Sequence, residues 1–146
     1  MNLTVIAVDK LREPYAREGC AIYAAKLAPY LPPRVIEVKP QSIEAEGRAM
    51  LARLDADSLV WALDREGVML SSPELARELA AAQRSGRRRL TVLIGGAEGL
   101  HPSCVKRADF RWSLSPLTFL HEMARLIALE QLFRAIKIDR GEPYHR

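Results

Sequence analysis

The 146 residues, 49% hydrophobic, 27% charged and 6% aromatic, have the composition of one compact globular domain. A chain of this length buries roughly two-thirds of its unfolded surface, enough for a core without disulfides or metal. Two cysteines, Cys20 and Cys104, exclude a secreted disulfide framework and a four-cysteine zinc site and fit a reducing compartment. The formal charge of +4 averages two unlike halves: residues 1–83 carry 10 basic and 12 acidic side chains, residues 84–146 carry 12 and 6. The second half is therefore the one expected to face anions.

The start, Met1-Asn2-Leu3-Thr4-Val5, reaches Asp9 and Lys10 without a basic region followed by a long apolar stretch, so no signal peptide is expected. The apolar run Leu126 to Phe133 contains Glu130 and Gln131 and is flanked by Arg125 and Arg134, far short of the ~20 apolar residues of a membrane span. A soluble, cytoplasmic protein with no membrane partner is the expectation.

Leu3 to Val8 is a β-branched, apolar run that predicts a first strand, and Tyr15, Gly19, Ile22, Tyr23, Leu27 and Tyr30 follow at helical spacing. Pro32-Pro33 stops that helix, and Val35 to Val38 reads as a second strand. Ser42 caps a helix with Ile43, Met50, Leu51 and Leu54 on one face. Leu59 to Leu63, apolar throughout, predicts a strand covered on both faces, after which Asp64-Arg65-Glu66-Gly67 turns the chain. Ser72-Pro73-Glu74 starts a helix that buries Leu75, Leu79 and Ala82 and ends by Gly86. Leu90 to Ile94 is a fourth strand, Ser103 to Ala108 a brief helix, and Phe110 to Leu114 a fifth strand. The last helix runs from about Thr118 to Ile138 and buries Phe119, Met123, Leu126, Ile127, Phe133 and Ile136. The alternation predicts an α/β fold, a mostly parallel sheet with helices on both faces, over a single domain of residues 1–146. Ligands in such sheets bind beyond the carboxyl ends of strands, which selects the loops after Leu63, Ile94 and Leu114.

Gly95-Gly96-x-x-Gly99 follows a buried strand directly, as either a ligand-approaching loop or a tight strand-to-helix turn. It matches neither the dinucleotide fingerprint nor a P-loop. Ser113-Leu114-Ser115-Pro116-Leu117-Thr118-Phe119 either caps the long helix or surrounds an adenine and its sugar. His121 reads as a structural cap or interface residue and His101 as a surface residue; no His-x-x-x-His or Cys-x-x-Cys spacing supports a metal site. Arg84-Ser85-Gly86-Arg87-Arg88-Arg89 is a solvated loop or an RNA phosphate contact, and Lys106, Arg107 and Arg111 in the same half favour RNA. Tyr144-His145-Arg146 offers a stacking face, a group titrating near neutrality and a fixed cation, yet by pattern alone is an ordinary frayed end.

Taken in order, Leu93 to Leu100, Ser113 to Arg125, Glu130 to Ala135 and the terminal Pro143 to Arg146 resemble the ribosomal RNA large subunit methyltransferase H family, of the SPOUT class. The similarity spans essentially the whole chain, including the Ile6-Ala7-Val8 strand. It implies transfer of a methyl group from S-adenosyl-L-methionine to N3 of a pseudouridine in helix 69 of bacterial 23S rRNA. It implies a C-terminal trefoil knot, which connection rules alone disfavour. The family's motifs place the cofactor against Leu63, Gly95, Leu114, Ser115, Pro116, Leu117, Thr118 and Phe119. They imply a homodimer with the last helix at the interface, and a catalytic site completed by Tyr144, His145 and Arg146, the last two nearest the target base. With little chain left for an RNA-binding domain, the assembled ribosome is the expected partner.

Two positions depart from the family's pattern. Leu120-His121 stands where relatives commonly have Pro-His, and Val8-Asp9-Lys10 where they commonly have Val-Gly-Lys, so Asp9 is expected to adopt a backbone conformation less dependent on glycine. The alternatives are a SPOUT methyltransferase for another RNA position and a noncatalytic ribosome-associated α/β module.

Overall fold

A computed structural model of the chain describes residues 1–144. Strands β1 (Asn2–Val8), β2 (Pro33–Val38), β3 (Ser58–Met69), β4 (Arg89–Ile94) and β5 (Phe110–Ser113) pair in the order β2-β1-β4-β3-β5, every pair parallel. They alternate with helices α1 (Pro14–Leu27), α2 (Ile43–Ala52), α3 (Ser72–Arg84), α4 (Pro102–Arg107) and α5 (His121–Asp139).

Side-chain alternation along the strands makes two cores. Leu3, Val5 and Ala7 of β1 and Leu90, Val92 and Ile94 of β4 face one side, with Leu27 of α1, Leu75 and Leu79 of α3, and Leu129 and Leu132 of α5. Ile6, Val8, Val60 and Leu93 face the other, with Met50 of α2 and Cys104 of α4. This explains why the central strands read as unbroken apolar runs. Each fully buried Leu or Ile removes enough apolar surface from water to contribute about 1.5–3 kcal/mol.

Local chemistry sets the helix starts. Ser42 caps α2 by accepting from the Ala45 amide at 3.1 Å, as expected. The α3 cap lies one residue earlier than expected, at Ser71: its hydroxyl accepts from the Glu74 amide at 3.2 Å while Glu74 accepts from the Ser71 amide at 2.9 Å, a reciprocal capping box. His101, expected on the surface, is the half-buried cap of α4 and accepts from the Ser103 amide at 3.1 Å.

Two expectations need correcting. Asp64 to Gly67 does not end the third strand: β3 continues to Met69, with Leu63 and Val68 both registered against Trp112, so residues 64–67 bulge out of a continuing strand. A Cβ on Gly67 would lie 2.6 Å from the Arg111 carbonyl oxygen, so only glycine lets the bulge return to β5. The last helix begins at His121 rather than near Thr118, because the Ser115 hydroxyl accepts from the Leu117 amide at 3.0 Å and holds the preceding segment as a loop. Met123, expected in the core, is 38% exposed. No helix among the described residues is long and apolar enough to cross a membrane.

Candidate functional site

The carboxyl ends of β3, β4 and β5 open into a cleft of about 470 Å³, within the range of small-molecule sites. Its walls are the three loops selected from sheet logic, closed by the start of α5. Of the residues expected to hold a cofactor, Leu63, Gly95, Leu114, Ser115, Leu117, Thr118 and Phe119 line this cleft. Pro116 does not: the Ser113 hydroxyl donates to the Ser115 carbonyl at 3.2 Å and Ser115 turns back onto Leu117, leaving Pro116 exposed at the corner of the loop.

The glycine loop closes on its own main chain. Gly96 bridges to Gly99, whose amide donates to the Gly96 carbonyl at 3.0 Å and whose φ is +79°. A Cβ on Gly95 would lie 2.4 Å from the Gly99 carbonyl carbon. The glycines thus make a tight turn whose backbone is itself a wall of the cleft, joining the two readings left open by sequence.

Side chains outside the expected set tie the loops together. Arg111 grips Asp64 with two donors at 2.7 and 2.9 Å, Arg65 Nη1 donates to Thr118 Oγ1 at 2.5 Å, and Ser113 Oγ donates to the Arg65 carbonyl at 2.9 Å. Asp64, Arg65 and Glu98 line the cleft, and so does His121, which sequence reasoning took as structural. Asp64, Arg65 and Glu98 lie within the selected loops and His121 just after the last of them; turn composition and the glycine spacing pointed to the backbone there and singled out none of these side chains.

Below the cleft, α5 pins the loop that follows β1. Glu122, 5% exposed, accepts the Arg12 and Glu13 amides on one oxygen, the latter at 3.0 Å. Burial alone would push the Glu122 carboxyl up; the two amides, with His121 and Arg12 nearby, outweigh it and hold it below the usual range. Arg125, 2% exposed, donates to Glu37 and to the Asp9 carbonyl, both at 2.8 Å, while its Nε is buried without a partner. Asp9 has φ +71°, so the expectation of a conformation less dependent on glycine is wrong: the glycine-favouring geometry persists. Its carboxylate compensates locally, accepting from the Lys10 amide at 2.9 Å and from Arg12 at 3.1 Å. Chiefly the Lys10 amide, and then Arg12, hold this carboxyl below its ordinary value against partial burial.

Tyr144 packs edge-on against Phe133 with ring centroids 4.9 Å apart, its hydroxyl is 3.3 Å from that of Tyr23, and the Arg134 guanidinium lies 4.9 Å from its ring centre. Burial, then the Tyr23 contact, pushes its phenol up. At about 100° per residue, the side of α5 bearing Glu130, Phe133 and Arg134 is nearly opposite the side that presents His121 and Ala124 to the cleft. Tyr144 therefore does not face the cleft of its own chain. His145 and Arg146 lie outside the described residues.

The family model "Predicted SPOUT methyltransferase" matches residues 1–145. The chain belongs to the SPOUT methyltransferase family. Among similar proteins, the Ribosomal RNA large subunit methyltransferase H of Carboxydothermus hydrogenoformans is 40% identical, with both chains covered fully. That of Moorella thermoacetica is 43% identical, covering 100% of this chain and 99% of its own. A probable methylase family protein from Haemophilus influenzae shares the fold with a TM-score of 0.56 at 15% identity, covering 96% of this chain and 66% of that one. Convergence of the three loops at one edge of the sheet is consistent with the knotted SPOUT architecture, and the parallel sheet with helices on both faces is the fold expected.

Proposed function

We propose that this SPOUT methyltransferase moves a methyl group from S-adenosyl-L-methionine to N3 of a pseudouridine in helix 69 of 23S rRNA, acting in the cytoplasm on the assembled ribosome. The observation that carries this reading is the cleft itself, lined by seven of the eight residues expected to hold the cofactor, in a chain aligned end to end with ribosomal RNA methyltransferases.

The lining suits that cofactor. Leu100, Leu117 and Phe119 offer apolar surface for a purine ring, and Ser115 and Thr118 offer hydroxyls. With Asp64 paired to Arg111, Glu66 and Glu98 set two carboxylates against Arg65, suiting a ligand that carries more positive than negative groups. When bound, the cofactor supplies an electrophilic methyl group. The residues of the chain fix the target base in line with it and exclude water. Pseudouridine N3 is a poor nucleophile until its proton leaves, so a base is required; His145 is assigned that proton, and Arg146 the charge left on a flanking carbonyl oxygen or a phosphate. Tyr144, packed against Phe133 and held near Tyr23 and Arg134, anchors the tail that carries them.

The tail serves a second copy of the chain. Tyr144 is held on the far side of α5 from its own cleft. Beside it the α1/α5 surface is apolar and open: Tyr15, Ile22 and Met123 are 43%, 53% and 38% exposed. A homodimer joined there covers this surface and brings one tail to the other cleft.

The test is mass spectrometry of rRNA nucleosides from cells lacking the protein, followed by methyl transfer in vitro. Loss of one methylated pseudouridine, restored by the purified protein on ribosomes, is expected. Loss of a different methylated nucleoside would reassign the target, and cofactor binding absent by calorimetry would overturn the enzyme reading. Mixing a Gly95→Val chain with a His145→Ala chain should restore activity if the site is shared between copies.

A further inference from the structure

The basic cluster 84–89 does not adjoin the cleft. β4 begins at Arg89 and ends at Ile94, where the cleft opens, so the cluster and the cleft lie at opposite ends of a strand about 20 Å long. α2 and α3 run back across the sheet and also finish at this amino-terminal edge, delivering Arg53 and Arg84, and β2 opens there with Arg34. Gly86, with φ +82° and open space around it, reverses the chain after α3 and presents Arg87, Arg88 and Arg89 in succession.

We propose that this edge is a second docking surface, in which Arg34, Arg53, Arg84, Arg87, Arg88 and Arg89 bind ribosomal RNA phosphates remote from the modified base. The proposal rests on the ribosomal substrate argued above. The segments that open the strands at this edge also hold Asp55, Asp57 and Asp109, the last beside Arg107, and the rest of the chain, with fifteen basic and fifteen acidic side chains, is electrically balanced. The positive excess of the molecule is therefore local, where an ordinary solvated surface intersperses the two signs. A helix-dipole role accounts for Arg84 in the last turn of α3, but not for three consecutive arginines beyond it.

Part of the edge is held in place. Asp55 pairs with Arg89 at 3.1 Å and with Arg34 at 3.8 Å, and Arg87 Nη1 donates to the Ser58 carbonyl at 3.4 Å. Arg53, Arg84 and Arg88 are exposed and have no side-chain hydrogen bond or ion pair among the described residues. Planar guanidinium forks on a rigid edge suit phosphate oxygens. Such contacts add affinity and orientation without reading sequence, which suits a small enzyme that finds its target within a folded ribosome.

The test uses the triple variant R53Q/R84Q/R88Q, which removes no described side-chain contact, together with the corresponding triple lysine variant. Binding to unmethylated ribosomes and to deproteinised 23S rRNA is measured against salt, alongside methyl transfer and cofactor binding. The glutamine variant should bind both RNA-containing partners roughly tenfold more weakly, with the slope of log K against log salt reduced by about 2–3. Its KM for ribosomes should rise with kcat and cofactor binding unchanged, and the lysine variant should recover most of the slope. An unchanged salt slope and KM, or a fall in kcat alone, would overturn the proposal. So would a loss confined to intact ribosomes with RNA binding unaffected, which would assign the edge to an acidic protein. If wild-type protein docks with this salt dependence but transfers no methyl group, the docking surface stands and the proposed activity fails.

Discussion

Arg125 donates from Nη2 to the backbone carbonyl of Asp9 at 2.8 Å, joining the core of α5 to the only non-glycine residue with positive φ among the described residues. The same guanidinium reaches Glu37 just before the end of β2, so one side chain holds the carboxyl ends of two neighbouring strands to the helix that closes the cleft.

Arg125→Ala should therefore destabilise the fold by about 2–3 kcal/mol, since it leaves the Asp9 carbonyl and Glu37 without their donor; the partial exposure of Glu37 keeps the cost below that of a fully buried pair. Arg125→Lys, which keeps charge but lacks the fork, should cost about half as much. Denaturant unfolding gives both values, and equal losses would argue against a role for the fork.

Asp9 separates strain from side-chain chemistry. Asp9→Ala keeps the unfavourable backbone and loses the Lys10 and Arg12 contacts, so a loss of about 1–2 kcal/mol is expected, whereas Asp9→Gly should stay within about 1 kcal/mol of wild type. If alanine and glycine unfold at the same denaturant concentration, the positive φ contributes nothing to the difference.

Acid stability follows from the same region. The carboxyls of Glu122 and Asp9 are held below their ordinary values in the folded protein. Their contribution is fully present above the unfolded-state values near pH 4 and is lost as pH falls through the lower folded values. The melting temperature should thus fall on acidification below about pH 4, and Glu122→Gln should flatten that limb by lowering stability near pH 7, since a neutral amide oxygen holds the two backbone amides less strongly than a carboxylate. An acid limb identical in wild type and variant would exclude Glu122 as a contributor.

Across the cleft, Arg65→Ala removes the link to Thr118 on the facing loop. Because the pair is exposed, thermal stability should hardly change, but the loop that lines the proposed cofactor site loses its tether, and cofactor affinity by calorimetry should fall several-fold. Thr118→Val should reproduce most of the effect; a fall in melting temperature without weaker binding would contradict this division of roles.

At the open α1/α5 surface, Met123→Asp or Ile22→Asp should yield monomers in sedimentation experiments. On the proposed sharing of sites between two copies, cofactor binding should persist and methyl transfer should be lost. A monomeric variant with full activity would overturn the shared site.

The sheet and the three site loops were legible because buried parallel strands write themselves as apolar runs and their carboxyl ends are where ligands bind. The β3 bulge was not, since Asp-Arg-Glu-Gly has turn composition and only pairing with Trp112 draws the chain back into the strand. Arg125 and Glu122 were invisible as clamps because their partners lie far away in sequence, at Glu37, Asp9, Arg12 and Glu13. The basic excess of the second half coincides in sequence with the site motifs, but folding separates residues 84–89 from them by the length of a strand.

The closure of the glycine loop also bears on redesign of the cleft for bulkier analogues of the proposed cofactor. Where Gly95 meets Gly99, the wall is main chain against main chain, with no side chain to trim. Extra room is easiest to make in the loop after β5, where Leu117 is 69% exposed and Thr118 is held by a single arginine. The glycine wall of the cleft is fixed by backbone, and the walls built of side chains can be widened by substitution.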